Sequence, residues 1–253
     1  MNKAIIISVA NHKGGVGKTA TTVGLGGALQ SKGFRVLLID ADGQANLTDS
    51  LGFSMDMDKT LYEALKGKEE LPICKHEDGI DVVPACLDLS AAEAELMNEP
   101  GRETILSSLL QPIRKNYDFI LIDCPPSLSL LTLNAMTASD SLIIPVQAEY
   151  LAMRGMGKLV NVIDKVKKRL NPNLKIEGIL LTMYDGRKNL HQSVAETVQE
   201  TFKDDVFATM IRTNVAIAES TSAKQDVFHY APKSNGAQDY LKLADEIIAH
   251  HNL

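Results

Sequence analysis

The residues His12 to Thr19, HKGGVGKT, hold the densest concentration of chemical potential in the chain. Gly14, Gly15 and Gly17, with Val16 between them, let the backbone turn with its N–H groups facing inward, where side chains would block a bound anion. Lys18 extends an ammonium that reaches the β- and γ-phosphates of a nucleotide, and the Thr19 hydroxyl is a ligand for Mg²⁺. A helix starting at this point adds partial positive charge. The common pattern G-x-x-x-x-G-K-[ST] requires glycine at position 12, but the chain has His12 there, followed by a second lysine, Lys13.

Three carboxylates match this loop. Asp40 ends the apolar run RVLLID and Asp42 follows it, while Asp123 ends the run in YDFILIDCPP. Continuous apolar runs of this kind are buried strands of parallel sheets, whose C-terminal ends form the ligand edge. Asp123 matches a Walker B acid that orients Mg²⁺ through water. Phosphate cradle, metal ligand and water-activating carboxylate then occur in an order that fits nucleotide hydrolysis.

The elements that must position these groups alternate. Strands are expected over 4–10, 35–40, 80–84, 117–126, 141–146 and 174–183, and helices over 19–31, 60–65, 90–97, 102–115, 155–170, 189–202 and 238–249. Gly24, Gly26 and Gly27 within the first helix cost about 1 kcal/mol each relative to alanine, so close packing on a sheet is expected there. Successive βα units without a linker or repeat predict one α/β domain over 1–253, a doubly wound, mostly parallel sheet flanked by helices. The loop starts near residue 12, which leaves no room for an N-terminal DNA-binding extension.

Composition bounds the rest. The chain has 253 residues, 45% apolar and 23% charged, with a formal charge of −6 that excludes a wholly basic nucleic-acid binder but not a local basic face. No apolar stretch approaches the roughly 18 residues of a membrane span. Cys74, Cys86 and Cys124 lack C-x-x-C spacing, so neither a disulfide framework nor a zinc site is indicated and a cytoplasmic setting is expected. His12, His76, His191, His229, His250 and His251 form no ligand spacing with those cysteines, and surface or structural roles are expected. Met136, Met153, Met156 and Met183 read as core filling.

KGGVGKT, LIDADGQANLT, ILIDCPPSLSLLTLNA, GILLTMYDGR and NGAQDYLKLADEI together resemble the ParA/Soj family of partition ATPases over nearly the whole chain. The resemblance implies a P-loop NTPase of the deviant Walker A type that binds ATP or ADP with Mg²⁺. It makes Lys13 the signature lysine that reaches the partner's nucleotide across a dimer interface, and Asp42 the aspartate needed for hydrolysis. Asp40 falls near the metal with Thr19 and Asp123. Met183, Arg212 and Asn214 fall in segments near the base, and Ala20 replaces a threonine that contacts the α-phosphate. Gly43 replaces a proline in the family's switch segment, which predicts greater mobility there. Arg212 replaces a proline against adenine and can stack its guanidinium plane on the base.

The resemblance further implies an ATP-dependent homodimer, non-specific DNA binding on the nucleoid and a ParB-like centromere-binding partner that stimulates a low basal hydrolysis. Thr213 and Ala216 stand where the family has arginines implicated in DNA contact, so DNA binding must rest on Lys165, Lys167, Lys168, Arg169 and Lys224 or Lys233. Three other readings compete. A nucleotide-switched regulator acting through a protein partner would touch DNA little. A MinD-like positioning ATPase needs a basic amphipathic tail, whereas LADEIIAHHNL carries two acids and neither lysine nor arginine, so no membrane partner is expected. An iron–sulfur reductase needs cluster cysteines, and only Cys124 follows the Walker B aspartate.

Overall fold

The computed structural model describes residues 3–67, 69–149 and 152–253, and the side chains of all of these except 152–155. Seven strands, β1 (Ile5–Val9), β2 (Val36–Asp40), β3 (Cys74–Lys75), β4 (Asp81–Val83), β5 (Phe119–Asp123), β6 (Ser141–Gln147) and β7 (Lys175–Thr182), form one sheet in the order β3-β4-β2-β5-β1-β6-β7. All neighbouring pairs are parallel except β3 with β4. The six strands expected from apolar runs are present, within a few residues of their expected ends. The antiparallel edge strand β3, two residues long, was beyond what so short a run can signal.

Helices cover both faces, since strands buried on both sides alternate their side chains between two cores. On one face α1 (Lys18–Ser31) lies beside α11 (Asn235–His250), and Leu25, Leu29, Tyr240, Leu243 and Ile247 pack with Ile7, Val9, Leu38 and Leu121. The opposite face carries α3 (Leu61–Leu65), α4 (Leu89–Glu95), α5 (Ile105–Leu110), α6 (Leu130–Ala138), α7 (Ala152–Arg169) and α8 (Asn189–Phe202). There Leu131, Leu159, Ile163 and Val166 meet Ile6, Ile120, Ile122 and Ile144. Three short helices, α2 (Asn46–Ser50), α9 (Val215–Ser222) and α10 (Val227–Tyr230), complete the first face.

The glycines of α1 do more than approach the sheet. A Cβ on Gly26 would fall 2.7 Å from Leu38 of β2, as expected, but one on Gly24 would strike the Tyr240 ring of α11. Gly24 therefore lets two helices touch, a long-range demand that local sequence does not carry. The expected helix 102–115 is shorter, with α5 flanked by 3₁₀ turns at Arg102–Thr104 and Arg114–Asn116. Met136 and Met156 are buried as expected, Met183 is 37% exposed, and the Met153 side chain lies outside the described residues. All three cysteines are free. Among the described residues no helix is long and apolar enough to cross a membrane.

Candidate functional site

The glycine-rich loop leaves the C-terminal end of β1, between β5 and β6, so it lies at the centre of the sheet edge. Gly15 and Gly17 adopt φ of 74° and 84°, the left-handed region in which side chains are strained. The loop is fastened on both sides. Asn11 donates from Nδ2 to the Pro145 carbonyl at 2.7 Å and accepts the Lys13 N–H at 3.1 Å, and Thr182 donates to the Val16 carbonyl at 2.8 Å.

Asp40 and Asp123 are register partners on adjacent strands, which brings both carboxylates to the loop. Thr19 at the start of α1 donates from Oγ1 to Asp123 Oδ2 at 2.6 Å, while Asp123 Oδ1 is buried with no hydrogen-bond partner. Burial, reinforced by the charge of Asp40, pushes the Asp123 carboxyl well above its ordinary range. Lys18 is buried and, among the described residues, its ammonium hydrogen-bonds only the Lys13 carbonyl, at 3.3 Å. Burial lowers its ammonium's pKa, and the charge of Asp123 partly restores it. A buried cation without an anion bonded to it, beside a buried acid with a vacant lone pair, fits a phosphate and a divalent cation.

Asp40 is occupied differently. Its Oδ1 accepts the Asp42 N–H at 3.1 Å, and its Oδ2 accepts the Thr48 N–H at 2.9 Å and the Thr48 hydroxyl at 2.7 Å. Burial still raises its carboxyl to about 6. Thr48 Oγ1 also accepts the Ala85 N–H at 2.9 Å, so this buried acid fixes the turn that carries Asp42. Asp42 itself accepts the Gln44 N–H at 3.0 Å. A Cβ on the intervening Gly43 would fall 2.9 Å from the Ser90 main-chain nitrogen at the start of α4. Glycine at this position thus permits a tight contact, a local packing reason for the residue that the expectation of mobility did not contain.

Lys13 lies on the rim, half-buried, with Nζ 3.0 Å from Glu149 Oε2. Met183 directly follows Thr182, and its carbonyl accepts the Thr213 hydroxyl at 2.9 Å, which brings the expected base segments beside the loop. Their side chains have partners the sequence did not disclose. Arg212 is bidentate on Asp239 of α11, with Nε and Nη2 at 2.9 and 2.7 Å. Asn214 caps α9, its Oδ1 accepting the Ala216 N–H at 2.8 Å. Ala20 is the third residue of α1 and is half-buried.

A family model described as an AAA domain matches residues 4–176. Over 249 residues the chain is 46% identical to the sporulation initiation inhibitor protein Soj of Bacillus subtilis, a match spanning 97% of this chain and 98% of that one. The chain belongs to the Soj/ParA family. A second Soj/ParA relative, the chromosome partitioning protein ParA of Myxococcus xanthus, is 45% identical over 247 residues, 96% of this chain and 87% of that one. A cobyrinic acid a,c-diamide synthase from Mycobacterium smegmatis, solved with an ATP analogue and magnesium, superposes with a TM-score of 0.89 at 36% identity, covering 98% and 96% of the two chains. The deviant P-loop NTPase fold expected of a Soj/ParA protein is the fold observed.

Several site residues escaped the sequence reading. Asn11, immediately before the loop, had the signature of a residue that bonds the backbone two positions on. Thr182 and Thr48 act across 166 and 37 residues of chain, and nothing local marks them. Arg187 and Lys188, both exposed, follow β7 at the same edge as the loop. Of the expected DNA cations, those of α7 lie elsewhere. The C-terminal end of α7, with exposed Lys165, Lys168 and Arg169, precedes the start of β7, and Lys167 borders a cavity with Lys3, Asp140 and Lys175 at the opposite edge. Lys224 is tied to Asp49 at 2.6 Å, and Lys233 is exposed.

Proposed function

We propose that this Soj/ParA protein is a partition ATPase. It pairs as a sandwich dimer on ATP, holds DNA without sequence preference while dimeric, and lets go when a ParB-like partner stimulates hydrolysis. The carrying observation is the half-buried Thr19 with buried Lys18, Asp123 and Asp42 on one edge, next to a rim lysine, Lys13, whose ammonium rests on Glu149. Backbone N–H groups of Gly14 to Thr19 hold phosphate oxygens, and Lys18 faces the β- and γ-phosphates. Thr19 and Asp123 would hold Mg²⁺, with Asp40 behind them as a positioning group. Bound Mg-ATP supplies the electrophilic phosphorus and neutralises charge as it shifts to the leaving group. Asp42 orients the attacking water. Lys13 leaves Glu149 and crosses to the partner's phosphates, so the γ-phosphate links the two chains and its loss unlinks them. Met183 and Arg212 flank the base, Arg212 with its plane fixed by Asp239. Ala20 lacks the hydroxyl that would add an α-phosphate contact, and Asn214 holds the start of α9.

Binding of duplexes of random sequence, with ATP, ADP or no nucleotide over a salt series, tests this reading. Tight binding with ATP alone is expected; equally weak binding in all three states overturns it. Thr213 and Ala216 in place of arginines favour a second reading, a nucleotide-switched regulator that dimerises and leaves DNA unbound. A MinD-like role draws little support from α11, whose Tyr240, Leu243 and Ile247 are spent on the core.

A further inference from the structure

Away from the phosphate loop, two segments distant in sequence converge on one point. The turn between β3 and β4 carries His76 and Asp78, while Asp226 is the N-cap of α10 and His229 lies within it. Asp78 Oδ2, Asp226 Oδ2 and His229 Nδ1 all lie within 4.8 Å of one another. The imidazole nitrogen is 2.7 Å from the Asp226 oxygen and 3.4 Å from the Asp78 oxygen.

The Asp78 side chain is only 10% exposed, and its Oδ2 is a buried oxygen without a hydrogen-bond partner. That oxygen points at the cluster, and leaving it unpaired there is costly. His76 does not relieve it. Its Nδ1 accepts the Asp78 N–H at 3.2 Å, so the lone pair is engaged although the atom is 3.4 Å from Asp78 Oδ2.

We propose that Asp78, Asp226 and His229 bind one divalent transition-metal ion, with zinc the best match to the donors. Two carboxylate oxygens and one imidazole nitrogen are zinc ligands, and tetrahedral bonds of about 2.0 Å separate ligand atoms by about 3.3 Å. The observed 2.7 and 3.4 Å bracket that spacing. His229 is 43% exposed, which provides an entry path and space for water as fourth ligand. Asp226 is positioned by its other oxygen, which accepts the Phe228 and His229 N–H groups.

The ion's work here is structural. It joins the hairpin at the sheet edge to α10, whose Phe228 meets α1 at Gly27. Gly27 is nine residues from Lys18 in α1, about 14 Å along the axis, so this site is separate from the nucleotide's. The inference does not depend on the function proposed above.

The test is equilibrium dialysis of the full chain against Zn²⁺ with Mg²⁺ and ADP in excess, read by elemental analysis. One zinc per chain at micromolar free metal is expected, with affinity falling by at least about tenfold in His229→Gln and in Asp78→Asn. Zinc should raise the Tm of the wild type by roughly 5 to 10 °C at a hundredfold excess over its Kd and raise that of either variant, at the same zinc concentration, by about half as much or less. The two variants lie on different elements, and a wild-type Tm without zinc checks that each is folded. Absence of stoichiometric zinc, or retention of it in both variants, overturns the proposal and leaves His229 as a protonated bridge between two acids.

Discussion

In the function proposed above, Lys13 completes its chemistry only in the dimer. Its ammonium rests on exposed Glu149, a contact worth little in water, while Lys18 already occupies the phosphate side of the loop. Replacing Lys13 by alanine should leave nucleotide binding by the monomer nearly intact and weaken the ATP dimer by more than about thirtyfold, the effect of truncating a desolvated interfacial charge worth about 2–5 kcal/mol. Light scattering with ATP reads this directly, and a normal dimer would remove Lys13 from the interface. Lys13, Lys18, Thr19 and the three aspartates stood out in sequence as positions because each belongs to a local signal, a glycine-rich turn or the end of an apolar strand, whereas roles for Lys13 and Asp42 came only from the family resemblance. Arg212 and Asn214 were legible as positions only. Their partners, Asp239 across 27 residues and the first turn of α9, depend on packing that no local pattern carries.

Between elements, the contact of α1 with α11 sets two expectations. Alanine at Gly24 would gain about 1 kcal/mol of helix propensity, yet its Cβ would meet the buried Tyr240 ring, and overpacking costs about 1–3 kcal/mol. Gly24→Ala should therefore lower Tm by a few degrees, and a rise would show that the helices separate cheaply. At its other end α11 is clasped to β7. Glu177, buried, accepts from His251 at 3.1 Å and lies 3.3 Å from His250. Hydrogen bonding to Glu177 raises the His251 pKa above 6.5, while Glu177, against the opposing effect of its burial, lies below 4.5 through bonds to His251 and Ser141. The histidine's contribution is thus complete below 6.5 and lost as pH rises through its folded value; the glutamate's is present above 4.5 and lost on acidification. Between those limits wild type should exceed His251→Gln in stability by about 1 kcal/mol, a gap that narrows in paired melts as pH rises above 6.5 and through the raised folded value. A constant gap would rule out a charged clasp. The strands and long helices behind these contacts were readable from periodicity, whereas α9, α10 and β3, at eight, four and two residues, were too short to register.

At the scale of the whole molecule, DNA binding governed by ATP requires cations that move with the nucleotide edge. The lysines and arginine at the end of α7 do not satisfy this, since they stand at the opposite edge of the sheet, where the C-terminal dipole of α7 already accounts for their sign. Arg187 and Lys188 do satisfy it. They follow β7 directly after Thr182, which bonds the loop itself, and dimer formation across the loop edge would align two such pairs on one surface. Arg187 keeps its guanidinium 91% exposed beside Asp185, a surface pair that a phosphate can displace at small cost. With a net charge of −6 per chain, the remainder of the surface works against DNA, so in the proposed function a few well-placed cations would have to carry the affinity. Arg187→Ala combined with Lys188→Ala should abolish the ATP-dependent component of DNA binding and reduce the salt slope by about 0.9 for each phosphate no longer neutralised, with dimerisation preserved. Lys165→Ala with Lys168→Ala should lower affinity equally in the ATP and ADP states. The reverse pattern, with ATP dependence abolished only in the α7 variants, would move the DNA surface to the far edge and require the dimer to transmit its state through the sheet.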